Sequence, residues 1–148
     1  MSETFLYTIY VDAPADRIWT ALTSGEFTRQ YWAGRRIESS WEKGAPLRFC
    51  IEDGDEVEVF GEVLECDPPK RLSYTWARKA EPELAPSKVT FELDQVGESI
   101  KLTLTHEPLS ASNNARQGWP AVLSSLKSFL EAGRPLAATA LFRKPCAA

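Results

Sequence analysis

A long amphipathic segment near the C-terminus constrains the fold of this chain more than any other stretch. Between Gly118 and Gly133 the apolar residues recur every three or four positions, which places them on one face of a helix. Pro120 suits the first turn of that helix, where a backbone N–H would have no partner, and Gly133 followed by Pro135 suits its end. We therefore predict one long helix that begins near Trp119 and packs a single apolar face against the rest of the chain.

The residues before this helix indicate an antiparallel sheet. Between residues 36 and 106, short runs of alternating apolar and polar residues are separated by turn residues. An earlier alternating run, residues 4–11, is followed by two short helical segments. Gly61, in the middle of one predicted strand, indicates a bulge or bend of the kind that a curved sheet requires. The pattern predicts an α+β fold of one strand, two short helices, about six strands and a long C-terminal helix.

Composition and charge exclude several functional classes. The length of 148 residues fits one domain, and the net charge of −4 disfavours a nucleic-acid partner, which needs a basic face. The N-terminal residues lack a secretory signal, and no apolar run approaches the ~20 residues that span a bilayer. The cysteines, Cys50, Cys66 and Cys146, are far apart and lack metal-ligand spacing. We expect a cytoplasmic protein with no membrane partner, no metal and no other cofactor.

Large aromatic side chains are the most distinctive part of the predicted core. Several of them fall on the faces that should point inward, between the sheet and the long helix: Trp32, Trp41, Phe49, Phe60, Trp76, Phe91, Trp119 and Phe129. A curved sheet leaves room beneath a helix, and aromatic rings there are the usual lining of a site for an apolar ligand. The same rings also suit a filled core, and the pattern alone leaves both interpretations open.

The ordered motifs of the chain resemble a known family. The matching segments are residues 11–14, 18–22, 61–72, 74–76, 104–106 and 118–133. Together they resemble the activator of Hsp90 ATPase homologue 1-like domain of the SRPBCC superfamily, which includes START, polyketide cyclase and Bet v 1-like proteins. The resemblance implies the helix-grip fold, in which a curved antiparallel sheet wraps around the C-terminal helix. It also implies a domain over residues 1–135 and a tail, 136–148, outside it.

In this superfamily the space between sheet and helix holds hydrophobic molecules, so the resemblance implies a ligand site there. We expect a hydrophobic or aromatic small molecule as the partner, with the chain acting as a carrier or sensor. The residues that we predict around the ligand are Trp32, Trp41, Phe49, Trp76, Phe91, His106, Trp119 and Leu123. His106 or Tyr74 would supply the polar contact that orients the ligand.

An enzyme of polyketide cyclase or hydrolase type remains an alternative. His106 is the only histidine, and it or Tyr74 would serve as the acid or base of a proton transfer. Glu107 is the neighbour of His106 but should point to the opposite face of the strand, so the two would not act as a pair. A structural role is the other interpretation of His106, as a side chain at the sheet end that orients the start of the helix. This inventory favours binding over catalysis.

Two kinds of protein partner are also open. In the eukaryotic activator that the resemblance brings in, an additional N-terminal domain supplies much of the chaperone binding. A role as a co-chaperone of Hsp90 type or a stress-response interaction module is therefore the weaker expectation for a single domain. A homodimer would form through an exposed edge strand around residues 37–41.

Overall fold

A computed structural model describes residues 3–51, 54, 56–109 and 115–136, and its elements follow the predicted order. They are β1 (Glu3–Val11), α1 (Ala15–Thr23), α2 (Gly25–Tyr31), β2 (Arg35–Ser39), β3 (Pro46–Ile51), β4 (Val57–Asp67), β5 (Arg71–Arg78), β6 (Ser87–Val96), β7 (Ser99–Leu109) and α3 (Ala115–Ala132). The predicted tail, 136–148, lies outside the described residues except for Leu136.

The seven strands form one curved antiparallel sheet. The strand order is β1-β7-β6-β5-β4-β3-β2, so the two edges are β1 and β2, which α1 and α2 connect. Helix α3 lies against the concave face, and the alternate residues of the central strands that face it are buried, as in Leu72, Tyr74, Phe91 and Leu104. This arrangement confirms the α+β helix-grip fold.

The backbones of β4 and β5 approach each other closely at Gly61. A Cβ atom at Gly61 would overlap the carbonyl oxygen of Thr75, so only glycine fits at this position. The backbone N–H of Glu62 donates to the Thr75 hydroxyl at 2.8 Å, and the strand register shifts between Val63 and Glu65. The irregularity in the pairing of β4 with β5 therefore lies just beyond Gly61, and the bend at Gly61 itself stays a prediction.

Helix α3 begins about one turn earlier than the sequence pattern indicated. Its first residue is Ala115, so Pro120 lies inside the helix and not at its start. The prediction was wrong because residues 115–118 carry no apolar repeat. Pro120 has no backbone N–H to donate to the carbonyl of Arg116, one turn earlier in the helix. The predicted end is correct: Gly133 has a φ of 80° and donates its N–H to Phe129 at 3.0 Å.

Phe60 is the one predicted inward-facing ring that points outward. It is 47% exposed, whereas its neighbour Val59 is buried. Successive residues of a strand face opposite sides, so Val59 and Val63 place the intervening Phe60 on the convex face. Phe129 is partly buried against the core, as expected.

Helix α2 covers the edge strand β2. The Ile37 backbone N–H donates to the Thr28 hydroxyl at 3.0 Å, and a Cβ atom at Gly25 would lie 2.8 Å from the Ile37 carbonyl oxygen. The polar groups of this edge at Ile37 therefore face α2. The prediction placed an edge strand around residues 37–41 correctly, but its exposure was wrong, because α2 occupies the position that a second chain would take.

Candidate functional site

Aromatic rings from separate elements meet between the sheet and α3. Trp32 directly follows α2 and lies 4.8 Å from Phe49 of β3 and 5.3 Å from Trp119 of α3, measured between ring centroids. Trp76 of β5 lies 5.3 Å from Phe49 and 5.5 Å from Trp119. These four rings form the centre of a set that we call the aromatic cluster, whose full membership is Trp32, Trp41, Phe49, Tyr74, Trp76, Phe91 and Trp119.

Tyr74 connects the remaining rings to this centre. Its ring lies 6.3 Å from Phe91, 6.4 Å from Phe49 and 6.4 Å from Trp41. Leu123 of α3 is buried in the same core. The fold thus brings the predicted site residues into one region, with Trp41 and Trp76 partly buried and the others buried.

His106 joins the aromatic cluster to α3 through a directed chain of hydrogen bonds. The Trp119 indole N–H donates to His106 Nδ1 at 2.9 Å, and His106 Nε2 lies 2.6 Å from the Ser87 hydroxyl oxygen. An indole N–H only donates, so Nδ1 must be the acceptor and the ring proton lies on Nε2. Ser87 in turn donates to the Trp76 carbonyl at 3.3 Å. Both ring nitrogens of His106 are therefore occupied.

The surroundings of His106 hold it in the neutral form. The side chain is fully buried, and burial lowers the pKa of His106 to about 4. Its lone pair at Nδ1 is occupied by Trp119, so the imidazole is not free to accept a proton from a ligand. Glu107 is exposed and accepts a hydrogen bond from Thr4 at 3.1 Å, on the opposite face of β7 as expected.

Ser87 belongs to this chain of hydrogen bonds but is not among the residues predicted from the sequence. It lies opposite Trp76 in the pairing of β5 with β6, which places its hydroxyl beside the Trp76 carbonyl. The alternation Ser87, Val89, Phe91 and Leu93 along β6 places it on the inward face, so a signal existed. Its partnership with His106 depends on the order of the strands, which that alternation does not reveal.

Tyr74 carries the unusual polar group of the site. Its side chain is fully buried, and its hydroxyl has no hydrogen-bond partner among the described residues. Burial raises the pKa of Tyr74 far above its ordinary value, so the hydroxyl is a neutral donor. Tyr31 provides the contrast, because its equally buried hydroxyl donates to the Ala21 carbonyl at 2.8 Å. Burying a hydroxyl without a hydrogen bond costs free energy, so a partner from outside the described side chains would stabilise Tyr74.

Trp41 borders this hydroxyl-bearing ring from the loop between β2 and β3. Its φ of 64° lies in the left-handed region, which is rare for a bulky residue and costs free energy. Two hydrogen bonds hold it there: the indole N–H donates to the Thr23 carbonyl at 2.9 Å, and the backbone N–H donates to the Ser39 hydroxyl at 3.0 Å. Such strain at a partly exposed ring is typical of ligand-binding positions.

Among the described residues no three histidine, cysteine, aspartate or glutamate side chains are grouped so that they would hold a metal ion. Within the same part of the chain, no helix combines the length and apolar character needed to cross a membrane.

Comparison with known families gives a match over most of the chain. A family model described as activator of Hsp90 ATPase homolog 1-like protein matches residues 12–131. That range contains every member of the aromatic cluster as well as His106 and Ser87. Among curated protein sequences, none matches this chain.

Solved structures share the fold at low sequence identity. CalU16 from Micromonospora echinospora is 22% identical with a TM-score of 0.71, covering 89% of this chain and 78% of that protein. The Aha1 dimer from Colwellia psychrerythraea is 21% identical with a TM-score of 0.73, covering 88% and 98%. An Hsp90 activator from Plasmodium falciparum is 24% identical with a TM-score of 0.64, covering 87% and 88%. At these identities the likeness shows the fold alone.

Proposed function

Because this chain belongs to the family of activator of Hsp90 ATPase homolog 1-like proteins, we propose that it uses the helix-grip fold to bind a hydrophobic or aromatic small molecule. The ligand lies among the rings of the aromatic cluster, and the chain acts as a carrier or sensor. Four of the five tryptophans belong to this cluster, which provides the flat apolar surfaces that such ligands favour.

The observation that carries this proposal is the unpaired hydroxyl of Tyr74. If Tyr74 only filled the core, phenylalanine would fill it equally well without burying an unpaired hydroxyl. The other buried tyrosine hydroxyl, on Tyr31, has a hydrogen-bond partner. A ligand oxygen would satisfy the Tyr74 hydroxyl and recover the free energy that burial costs it.

The rings of the cluster touch one another, so a ligand must separate them. Trp41 is the ring best placed to move, because it is partly buried, lies in a loop and has a strained backbone. Its displacement would break the indole hydrogen bond to Thr23 and open the face of Tyr74. We therefore propose that the ligand enters beside Trp41.

The indole N–H resonances of the five tryptophans test this proposal in one experiment. We expect β-acetonaphthone, a flat aromatic ketone, to shift the signals of Trp32, Trp41, Trp76 and Trp119 in a proton–nitrogen correlation spectrum. Trp19 of α1 makes none of the ring contacts described above and serves as the internal control. Native mass spectrometry of protein purified from cells would also show a discrete bound mass. Shifts confined to Trp19, or none at all, would contradict binding within the cluster.

A second candidate is an interaction with a chaperone of Hsp90 type. It is supported by the family description and by the fold shared with the Hsp90 activator from Plasmodium falciparum. The test is the ATPase rate of purified Hsp90 with and without this chain, where an increase supports the role and an unchanged rate removes it. A homodimer is the further association to check, by light scattering, since the Colwellia psychrerythraea protein is a dimer.

A further inference from the structure

We propose that the ligand is uncharged and carries one hydrogen-bonding oxygen that accepts a hydrogen bond from the Tyr74 hydroxyl. This inference rests on the proposed function and narrows it to a chemical class: flat, neutral molecules with a carbonyl, ether or hydroxyl oxygen at one end. It excludes fatty acids and other apolar anions, which share the hydrophobic character but not the charge.

No charged side chain among the described residues is buried where it could pair with a charged ligand. Apart from tyrosine and tryptophan, the buried polar side chains among the described residues are Thr28, Ser73, Ser87, Thr90, His106 and Ser125, and none of them is an acid or a cation. His106 is the only one that can ionise, and its bonds to Trp119 and Ser87 require the neutral ring. An ionised ligand in this core would have no opposite charge to meet.

Among the described ion pairs, the arginine closest to the core is already bound to a carboxylate. Arg35 is the least exposed of the paired arginines, with 13% of its side chain accessible, and it binds both carboxylate oxygens of Glu58 at 2.6 and 2.9 Å. Arg71 donates one hydrogen bond each to the carboxylates of Glu65 and Glu92, on the convex side of the sheet. Neither arginine is available to a ligand between the sheet and α3.

Among the described residues, Tyr74 is the one buried side chain with a polar atom that lacks a hydrogen-bond partner. Ser73 and Thr90 bond each other at 3.2 Å, and Ser125 accepts the Leu136 backbone N–H at 3.1 Å. Tyr74 is the buried side chain whose polar atom is left over among the described residues. A ligand with one oxygen satisfies it, whereas a ligand with several polar groups would bury the others unpaired.

Three naphthalenes of similar shape test the inference by calorimetric titration at neutral pH. β-Acetonaphthone is a neutral ketone, β-ethylnaphthalene lacks the oxygen, and β-naphthoate is an anion. We expect the ketone to bind about fivefold more tightly than the hydrocarbon, the value of one hydrogen bond. The carboxylate should bind about a hundredfold more weakly than the ketone, because it would be buried without a counter-charge.

The Tyr74→Phe variant shows whether the hydroxyl is the source of the preference. It should bind the ketone and the hydrocarbon equally, while its affinity for the hydrocarbon stays that of the original protein. Phenylalanine keeps the ring and removes an unpaired polar atom, so the variant should remain folded. Tyr10→Phe is the matched control, since Tyr10 is 51% exposed on β1, and it should keep the fivefold preference.

The outcomes separate this inference from the proposed function. Binding of the naphthoate as tight as that of the ketone would overturn the neutral-ligand inference and leave the binding function standing. An unchanged ketone preference in Tyr74→Phe would overturn the role of the hydroxyl. If none of the three compounds binds, the proposed function fails, and the inference fails with it.

Discussion

The two ends of helix α3 are fastened to the sheet by opposite kinds of chemistry. Near the N-terminal end, Trp119 reaches His106 through a buried chain of neutral hydrogen bonds that continues to Ser87. At the C-terminal end, the Glu131 carboxylate accepts the Asp12 backbone N–H at 2.7 Å and pairs with Lys127 at 2.6 Å, near solvent. One attachment excludes water and ions, and the other is exposed to both.

This difference has a physical consequence for each attachment. A buried network depends on all its members, because each one that loses its partner becomes an unsatisfied polar group in a region without water. The exposed attachment has reserve: Lys127 also donates to the Tyr10 carbonyl at 2.7 Å, Arg17 donates to the Leu130 carbonyl at 3.2 Å, and water can replace either contact. The aromatic cluster lies at the end that tolerates change least.

The largest effect should come from removing the buried attachment. His106→Ala leaves the Trp119 indole N–H and the Ser87 hydroxyl without partners and deletes the volume of a ring. We expect the free energy of unfolding to fall by about 3 kcal/mol, measured by urea denaturation. His106→Asn is the matched control, because its side-chain oxygen can accept the Trp119 N–H, and it should recover part of the loss. If the two variants lose the same small amount, the bridge does not stabilise α3.

Acid should weaken the buried end before it unfolds the whole chain. Burial lowers the pKa of His106 to about 4, whereas an unfolded histidine has a pKa near 6.5. Between these two pKa values the unfolded chain binds a proton that the folded chain does not bind. The contribution of neutral His106 to the free energy of unfolding is therefore fully present above about pH 6.5 and is lost as the pH decreases toward 4. We expect a loss of about 2 kcal/mol between neutral pH and about pH 5, measured by urea denaturation at each pH.

The exposed end changes in the same direction, so a control must separate them. The Asp12 backbone N–H and then Lys127 lower the pKa of Glu131, whose stabilising contribution is therefore also lost in acid. His106→Asn removes only the histidine part and should flatten the profile between about pH 6.5 and 5. Since His106 is the only histidine, the chemical shift of its Cε1–H proton reports its charge directly. A titration midpoint near the ordinary histidine pKa would contradict the expected effect of burial.

The smallest effect should come from the exposed attachment. Glu131→Ala removes both contacts of the carboxylate and should cost about 1 kcal/mol, whereas Glu131→Gln keeps an acceptor for Asp12 and should cost less than about 0.5 kcal/mol. Raising the salt concentration to about 0.5 M should reduce the cost of Glu131→Gln and leave that of His106→Ala unchanged. Equal salt dependence in both variants would remove the distinction between the two ends.

The sequence pattern predicts the fold and which aromatic rings share the inward face, but it does not predict the hydrogen bonds between strands. Alternation along β5 and β6 placed Trp76 and Phe91 on the inward face, and the apolar stripe of α3 placed Trp119 opposite them. That Ser87 lies beside Trp76 follows from the register of β5 with β6, and its bond to His106 follows from the neighbouring β7. A period of two residues assigns a face but does not assign a neighbour across the sheet.

The two hydroxyls of greatest interest show the same limit. Tyr74 was a candidate for a polar contact from its position in the strand alone, yet only the folded arrangement leaves its hydroxyl unpaired while the Tyr31 hydroxyl reaches Ala21. The start of α3 at Ala115 is not evident from the sequence for a related reason, since residues 115–118 have no apolar repeat.

The hydroxyl of Thr28 affects a property that the free energy of unfolding does not report, namely the pairing of the β2 edge with other chains. An open strand edge is a template on which further chains can add, and a concentrated solution offers it many partners. The Thr28 hydroxyl accepts the hydrogen bond of the Ile37 amide, so this amide of β2 is not available to pair with a further strand. Thr28 therefore occupies an edge amide to which a further chain would bond, and this contact bears on association between molecules as well as on folding.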